Sequence, residues 1–254
     1  MSPPRPIPVL HDDGSVLSVH KPAGLLVHRS ALDAHETDTL MRRLLHQTGH
    51  AWHAVHRLDK GTSGVLLLAR DAVTARALGA AFASEGAVRK HYLAFVRGWP
   101  PQAVGVDHAL RPDDAPKDAP AQEARTLFEA LAQMAVGNGL DRFATSRYGL
   151  VRAQPLSGRR HQIRRHLKHL AHPVIGDATH GKGVHNRWWA AELGITRLWL
   201  HALELELAHP DGGTLHVVSP IGAAWNADWQ RLLAHPAWSQ PVLLSPPPAP
   251  GPPR

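Results

Sequence analysis

Alternation of apolar and polar positions is clearest late in the chain, where Leu203, Leu205 and Leu207 alternate with Glu204, Glu206 and Ala208. Side chains two apart share a strand face, so Leu198 to Ala208 predicts a half-buried strand. Asp211-Gly212-Gly213 then supplies a turn before Leu215 to Val218, and the two segments predict an antiparallel hairpin. Val65-Leu66-Leu67-Leu68-Ala69 is uninterrupted and bounded by turn residues, as a strand buried on both faces would be. Val88 to Val96 and Leu150 to Pro155 read as further strands, and Trp52 to Asp59 as extended chain. Helical spacing marks three more segments. Residues 38–48 place Leu40, Met41, Leu44 and Leu45 on one side, with Thr37 or Asp38 as N-cap. Asp71 caps a helix to about Glu85, apolar at Ala75, Leu78 and Phe82 and stopped by Gly86. His161 to Leu170 carries Ile163, Leu167 and Leu170 in helical register, ahead of Pro173. Helices mixed irregularly with hairpins predict an α+β fold, a mostly antiparallel mixed sheet flanked by helices.

Proline sets the expected boundaries. Four prolines in residues 3–8 and seven in residues 241–254 predict flexible tails at 1–8 and 241–254 around a single domain at 9–240. Pro100 to Ala121, with prolines at 100, 101, 112, 116 and 120, predicts a long surface loop inside that domain. No apolar run approaches the roughly 18 residues of a membrane helix. The start, Met1-Ser2-Pro3-Pro4-Arg5-Pro6, lacks a signal peptide's apolar region, so a cytoplasmic protein with no membrane partner is expected. The absence of cysteine excludes disulfides, thiolate metal sites and cysteine nucleophiles.

Charge changes the picture more than composition does. The net charge is +7, and residues 147–187 hold nine Lys or Arg against one acid, Asp177, which leaves the rest of the chain near neutral. A basic segment in a near-neutral protein points to a polyanion partner. It carries Gly158-Arg159-Arg160-His161-Gln162-Ile163-Arg164, not a Lys-rich amphipathic stripe with aromatic anchors, so RNA is expected over a membrane surface.

The candidate chemistry sits in His56-Arg57-Leu58-Asp59-Lys60-Gly61-Thr62-Ser63-Gly64, just ahead of the buried strand. In extended chain Arg57 and Asp59 face the same way. A carboxylate there has its charged form favoured by the arginine and disfavoured by burial. An ordinary surface ion pair, worth about 0–1 kcal/mol, would look the same by composition. The string itself resembles H-R-L-D-x-x-T-S-G of the RluA-type pseudouridine synthases and matches every fixed position. Further resemblances follow in family order: Lys21 to His28, Lys90 to Ala94, Gly158 to Arg164, His172 to Asp177 and Leu198 to Ala202.

The resemblance implies a pseudouridine synthase catalytic domain that isomerises a uridine of RNA, with no cofactor and no metal. It implies that Asp59 is the essential residue, that Tyr92 stacks on the uracil and helps remove its C5 proton, and that Arg164 pairs with Asp59. Arg57 is the candidate to brace a flipped nucleotide, Leu200 an apolar wall, and Arg159, Arg160, Arg165 and Lys168 the phosphate contacts. With motifs beginning by residue 20, no S4-type RNA-binding domain is expected. Val27 to Ser30, Ser146 to Val151, His161 to Leu167 and Gly176 to Gly181 are similar to short single-domain members that modify uridine 65 of the tRNA T-stem, including His180 where many relatives have tyrosine. His20 stands where asparagine is common in the family. Ribosomal RNA is the alternative substrate, and a non-catalytic RNA-binding module the alternative class. A glycosidase would bring two carboxylates to the bond, where this string brings one. His166, His169 and His172 recur at three-residue spacing but span too wide an arc for one metal site.

Overall fold

The computed structural model describes residues 5–29, 35–113, 115–116, 118–140, 142–240 and 242. In chain order its elements are β1 (Val9–Asp12), β2 (Val16–Lys21), α1 (Leu40–Thr48), β3 (His53–Ala54), β4 (Ser63–Ala69), α2 (Ala72–Ala83), β5 (Val88–Arg97), β6 (Ala103–Asp107), β7 (Arg125–Val136), β8 (Ser146–Pro155), α3 (Gln162–His169), α4 (Gly183–Leu193), β9 (Leu200–Ala208), β10 (Thr214–Val218) and α5 (Ala227–Leu233). The strands form one ten-stranded sheet in the order β1-β2-β4-β9-β5-β8-β7-β6, with β3 beside β4 and β10 beside β9. Every pairing is antiparallel except β4 with β9, which run parallel at Ser63↔His201 and Gly64↔Ala202. The fold is therefore the expected α+β arrangement, a mostly antiparallel mixed sheet flanked by helices.

The apolar run of β4 is buried throughout because its alternation feeds two helices. Leu66 and Leu68 pack with Leu40 and Leu44 of α1, while Val65 and Leu67 pack with Leu78 of α2. Ile163 and Leu167 of α3 lie on Ala94, Val96, Val151 and Ala153. Trp189 of α4 and Trp229 of α5 pack with Phe95, Tyr148 and Trp199. The β4–β9 seam admits only glycine at position 64. Its φ is +115°, and a Cβ there would lie 2.1 Å from the Ala202 carbonyl oxygen.

Several expectations shift at their edges. The cap of α1 is Thr39, which accepts from Arg42 N, not Thr37 or Asp38, and Leu45 is 47% exposed because the helix buries a narrower stripe. α2 ends at Ala83 with Ser84 as its cap, ahead of Gly86. Only His53–Ala54 of the extended Trp52–Asp59 segment joins a ladder, and that pairing is with β4. The long Pro100–Ala121 loop contains β6, whose ladder with β7 uses residues that precede Pro112. Of the tail expected at 1–8, residues 1–4 lie outside the described residues, while Ile7 is buried and hydrogen-bonded through both its N–H and C=O to Gln47. Of 241–254, only Val242 is described, and it packs on the Trp189 cluster.

Candidate active site

The turn that carries Asp59 is fastened to the sheet from both sides. Leu67 N–H donates to His56 Nε2 at 3.0 Å, and the His56 ring stacks on Phe82 with centroids 4.5 Å apart. Thr62 N–H donates to the Asp59 carbonyl at 3.0 Å and closes the turn. Beneath it, the buried Lys21 ammonium at the end of β2 donates to the carbonyls of Pro22, Leu25 and Lys60 at 2.9, 2.7 and 3.0 Å. Burial lowers the Lys21 pKa to about 7, opposed by the charge of Asp59 and reinforced by that of Arg197.

The facing wall begins at His161, held in the left-handed region at φ 55°. Gln162, the next residue, is a buried bolt: its Oε1 accepts from Arg159 N–H and the Ser157 hydroxyl, and its Nε2 donates to the Arg125 carbonyl and Thr126 Oγ1. Two residues on, Arg164 divides its guanidinium between two acids. Nη1 donates to Asp59 Oδ2 at 3.0 Å, while Nε and Nη2 grip Asp177 at 2.6 and 2.7 Å. The expected Arg164–Asp59 pair is present, but the stronger bidentate partner is Asp177. Asp177 Oδ1 also accepts from Thr179 and His180 N–H, both at 2.9 Å. Burial opposes ionisation of Asp177, yet Arg164 and these amides outweigh it and hold its pKa below the ordinary value. Burial likewise works against the Arg164 charge, and Asp177 followed by Asp59 raises its pKa regardless. Gly176 is required before this turn, since its φ is +79° and a Cβ would sit 1.7 Å from the Arg197 carbonyl oxygen.

Between the two walls lies a cavity of about 300 Å³ lined by Arg57, Asp59, Tyr92, Arg159, Arg164 and Leu200, among others. Asp59 is the one carboxylate among its described lining residues. Tyr92 enters from β5 where a bulge at His91/Tyr92 shifts the ladder with β9. Burial, and after it the Asp59 charge, raises the Tyr92 pKa, so the phenol is protonated at neutral pH. Leu200 is a buried wall, and Arg57 is exposed at the mouth. Arg159 lies at the rim, with Nε on the Glu123 carbonyl at 3.0 Å.

Arg160 and Arg165, expected as phosphate contacts, stand beside the cavity. They lie outside the cavity lining and face Asp113, at 3.9 and 3.3 Å, because the loop after β6 brings an acid to them. The basic segment is not one face either: Arg147 stacks over Trp99 and Arg152 pairs with Glu129. The helix end expected near residue 161 meets Asp59 through the His161 side chain, Nε2 being 3.9 Å from Oδ2. His166, His169 and His172 do not converge. His166 bonds Thr126 Oγ1 and the His108 carbonyl, His169 stacks on His108, and His172 bonds the Arg97 carbonyl. Among the described residues, the group that does come together is Asp113, His161 and His180, with ligand atoms within 4.8 Å of one another.

Three histidines, His56 in the cavity wall and His20 and His201 in the sheet, carry a pH dependence. His201 Nδ1 and Nε2 are taken by Ser63 Oγ and the Ser219 carbonyl, His20 Nδ1 by Ser219 Oγ, and His56 Nε2 by Leu67 N–H. Burial, helped by neighbouring cations, lowers their pKa values to about 4 for His20 and about 3 for His56 and His201. The unfolded chain therefore binds more protons than the folded one below the ordinary value of 6.5. Stability from these groups is complete above that pH and is lost as pH falls toward the folded values. Urea unfolding at about pH 7.5 and about pH 5 should show a loss of roughly 2 kcal/mol per histidine. Equal stability at the two pH values would contradict the neutral burial of these rings.

Comparison with known proteins gives one answer. The family described as RNA pseudouridylate synthase matches residues 15–169. A protein named tRNA pseudouridine synthase C from Vibrio cholerae is 40% identical over 93% of this chain and 98% of its own length. Its namesake from Yersinia pestis is 40% identical over 91% of both chains. Among solved structures, Human RNA Pseudouridylate Synthase Domain Containing 4 superposes with a TM-score of 0.67 at 27% identity, covering 92% of this chain and 94% of that one. Human RNA Pseudouridylate Synthase Domain Containing 1 shares the fold, with a TM-score of 0.68 at 23% identity over 96% and 94% of the two chains.

Proposed function

The chain belongs to the RluA-type RNA pseudouridylate synthase family, an isomerase family acting on RNA, and from that premise we propose that it converts one uridine of tRNA, uridine 65 of the T-stem, to pseudouridine. The observation that carries the chemistry is the position of Asp59, the one carboxylate among the described lining residues, held by an arginine that is itself fixed by buried Asp177. The N-glycosidic bond breaks, the uracil stays enclosed and turns, and a carbon–carbon bond forms to the same sugar. A pocket with one carboxylate suits retention and rejoining of the base, where hydrolysis normally uses a pair of acids. In this reading the reaction calls on no cofactor or metal.

Leu200 and Tyr92 would sandwich the uracil. The phenol is protonated at rest, so it walls and donates to the base, and must pass on its own proton before it takes the one from C5. Tyr92→Phe should keep RNA affinity within about twofold and slow single-turnover product formation by roughly 10²-fold or more; unchanged turnover would remove Tyr92 from the chemistry. Arg57 at the mouth would brace the extruded nucleotide, since a stacked uridine must be flipped to reach Asp59. Arg159 at the rim, with Lys168 exposed on α3, would contact the backbone, which positions the RNA without reading its sequence.

Support for tRNA comes from the full-length relatives named for it. Among the described residues no helix is long and apolar enough to cross a membrane, and we place the enzyme in the cytoplasm with its substrate, as a single catalytic domain over 9–240. Mapping pseudouridine in RNA from cells with and without the gene tests the substrate. Loss at uridine 65 of tRNA is expected; loss confined to ribosomal RNA would replace the tRNA reading with the ribosomal one.

A further inference from the structure

The loop between β6 and β7 delivers a carboxylate into a nest of cations beside the active site. Asp113 lies 3.3 Å from Arg165 Nη1, 3.9 Å from Arg160 Nε and 2.7 Å from His161 Nδ1. The last approach is off the hydrogen-bonding direction, and His161 Nδ1 and His180 Nε2 are both buried without a hydrogen-bond partner. Buried polar atoms of this kind are costly and call for a ligand or water. Two ligands could satisfy them: a metal cation held by both imidazoles and the carboxylate, or an oxyanion accepting from both rings. The arginines decide between these. Arg160 and Arg165 face the same carboxylate, and the Arg164 guanidinium acts electrostatically on His180, so a divalent cation would meet three positive charges, while of the described acids nearby Asp177 is already bidentate to Arg164 and Asp59 lies across the His161 ring on the same arginine. An oxyanion would be attracted by all of them, and arginine forks suit phosphate oxygens.

We propose that Arg160, Arg165, His161 and His180 form the binding site for a backbone phosphate of the RNA next to the flipped uridine, and that Asp113 occupies this site in the free protein until the phosphate displaces it. The proposal deepens the RNA-modifying reading and rests on it. His161 ties the two places together. Its Nε2 faces Asp59 and its Nδ1 faces Asp113, so a single imidazole ring separates the phosphate position from the reacting carboxylate. That separation is what a nucleotide presents when its sugar meets Asp59 and its own phosphate remains outside the cavity. The left-handed backbone of His161 holds the ring in this bridging place, a strained conformation for a non-glycine residue. Asp113 is exposed on its loop, and such exposed ion pairs are weak enough to be exchanged.

The test uses the full chain with Asp113→Asn and unmodified tRNA. In the free variant a salt anion replaces the missing carboxylate and is released when RNA binds. The variant should therefore bind tRNA roughly three- to tenfold more tightly at low salt, with a log–log salt slope steeper by about one unit. Adding His180→Ala should erase most of that gain. Inorganic phosphate separates this proposal from the substrate reading: it should raise the Tm of Asp113→Asn more than that of the wild type, whichever RNA is modified. Equal or weaker tRNA binding by the variant with an unchanged slope would overturn the proposal, as would the lack of a phosphate effect. Stoichiometric Co²⁺ binding that Asp113→Asn abolishes would also overturn it, in favour of a metal site.

Discussion

Asp59→Asn is expected to lower single-turnover pseudouridine formation by at least about 10³-fold while tRNA affinity and Tm stay close to wild type. The amide has nearly the same shape as the carboxylate but neither its charge nor its basicity, so whatever Asp59 does to the sugar or the base is lost. The fold should tolerate the change. The Asp59 side chain is 26% exposed, and Arg164 keeps two hydrogen bonds to Asp177 when its other partner is neutralised. Binding should survive as well, because the proposed phosphate contacts come from cationic and imidazole groups other than Asp59. Substantial turnover by the variant would place the chemistry elsewhere. A large drop in Tm with no specific loss of rate would make Asp59 a structural ion-pair partner only.

Arg164→Met is expected to be the most damaging single change to stability, costing roughly 3–5 kcal/mol in urea unfolding. Methionine can fill much of the space of the arginine stem, so the loss comes from electrostatics. Asp177 is fully buried and would keep only the Thr179 and His180 amides. The same substitution frees Asp59 from its positioning partner, so activity should fall together with stability. Adding Asp177→Asn to Arg164→Met should recover part of the lost stability, since it removes the stranded charge, and a double-mutant cycle reports that coupling. If Arg164→Met unfolds at the wild-type urea concentration, the Asp59–Arg164–Asp177 chain does not hold the site together.

The elements that the sequence makes legible are those whose apolar residues follow a single rule. β4 reads as buried because it is apolar throughout, and β9–β10 as a hairpin because its faces alternate around Asp211-Gly212-Gly213. β2 is hidden: it is wholly buried but contains Ser18, bonded to the Leu66 carbonyl, His20, bonded to Ser219, and Lys21, held by the turn that follows it and by Lys60. β7 alternates in burial but not in chemistry, since Thr126 is buried against Gln162 and His166 while Leu127 is 46% exposed. α4 buries His185 on Tyr148 beside Trp189, so its inward face is partly polar.

The site divides in the same way. Asp59, Tyr92 and Arg164 stand in contiguous strings and are legible one by one. Their assembly depends on residues that meet only through the fold. Asp177 carried one available signal, being the only acid among nine cations over residues 147–187. Lys21 lay inside a resembling string whose residue types do not reveal that the carbonyls of Pro22, Leu25 and the remote Lys60 enclose its ammonium. Asp113 sits in a proline-rich loop, and its approach to Arg160 and Arg165 depends on where β6 and β7 place that loop. The three-histidine spacing was legible and carries no metal chemistry, because each ring is engaged separately by Thr126, His108 or Arg97.

The most direct measurement is nucleoside analysis of an unmodified tRNA transcript after incubation with the purified protein alone. The account predicts a mass-neutral conversion of one T-stem uridine to pseudouridine, with no uracil released and with added chelator making no difference. Free uracil in the supernatant, or a transcript whose uridines are all unchanged, would contradict it.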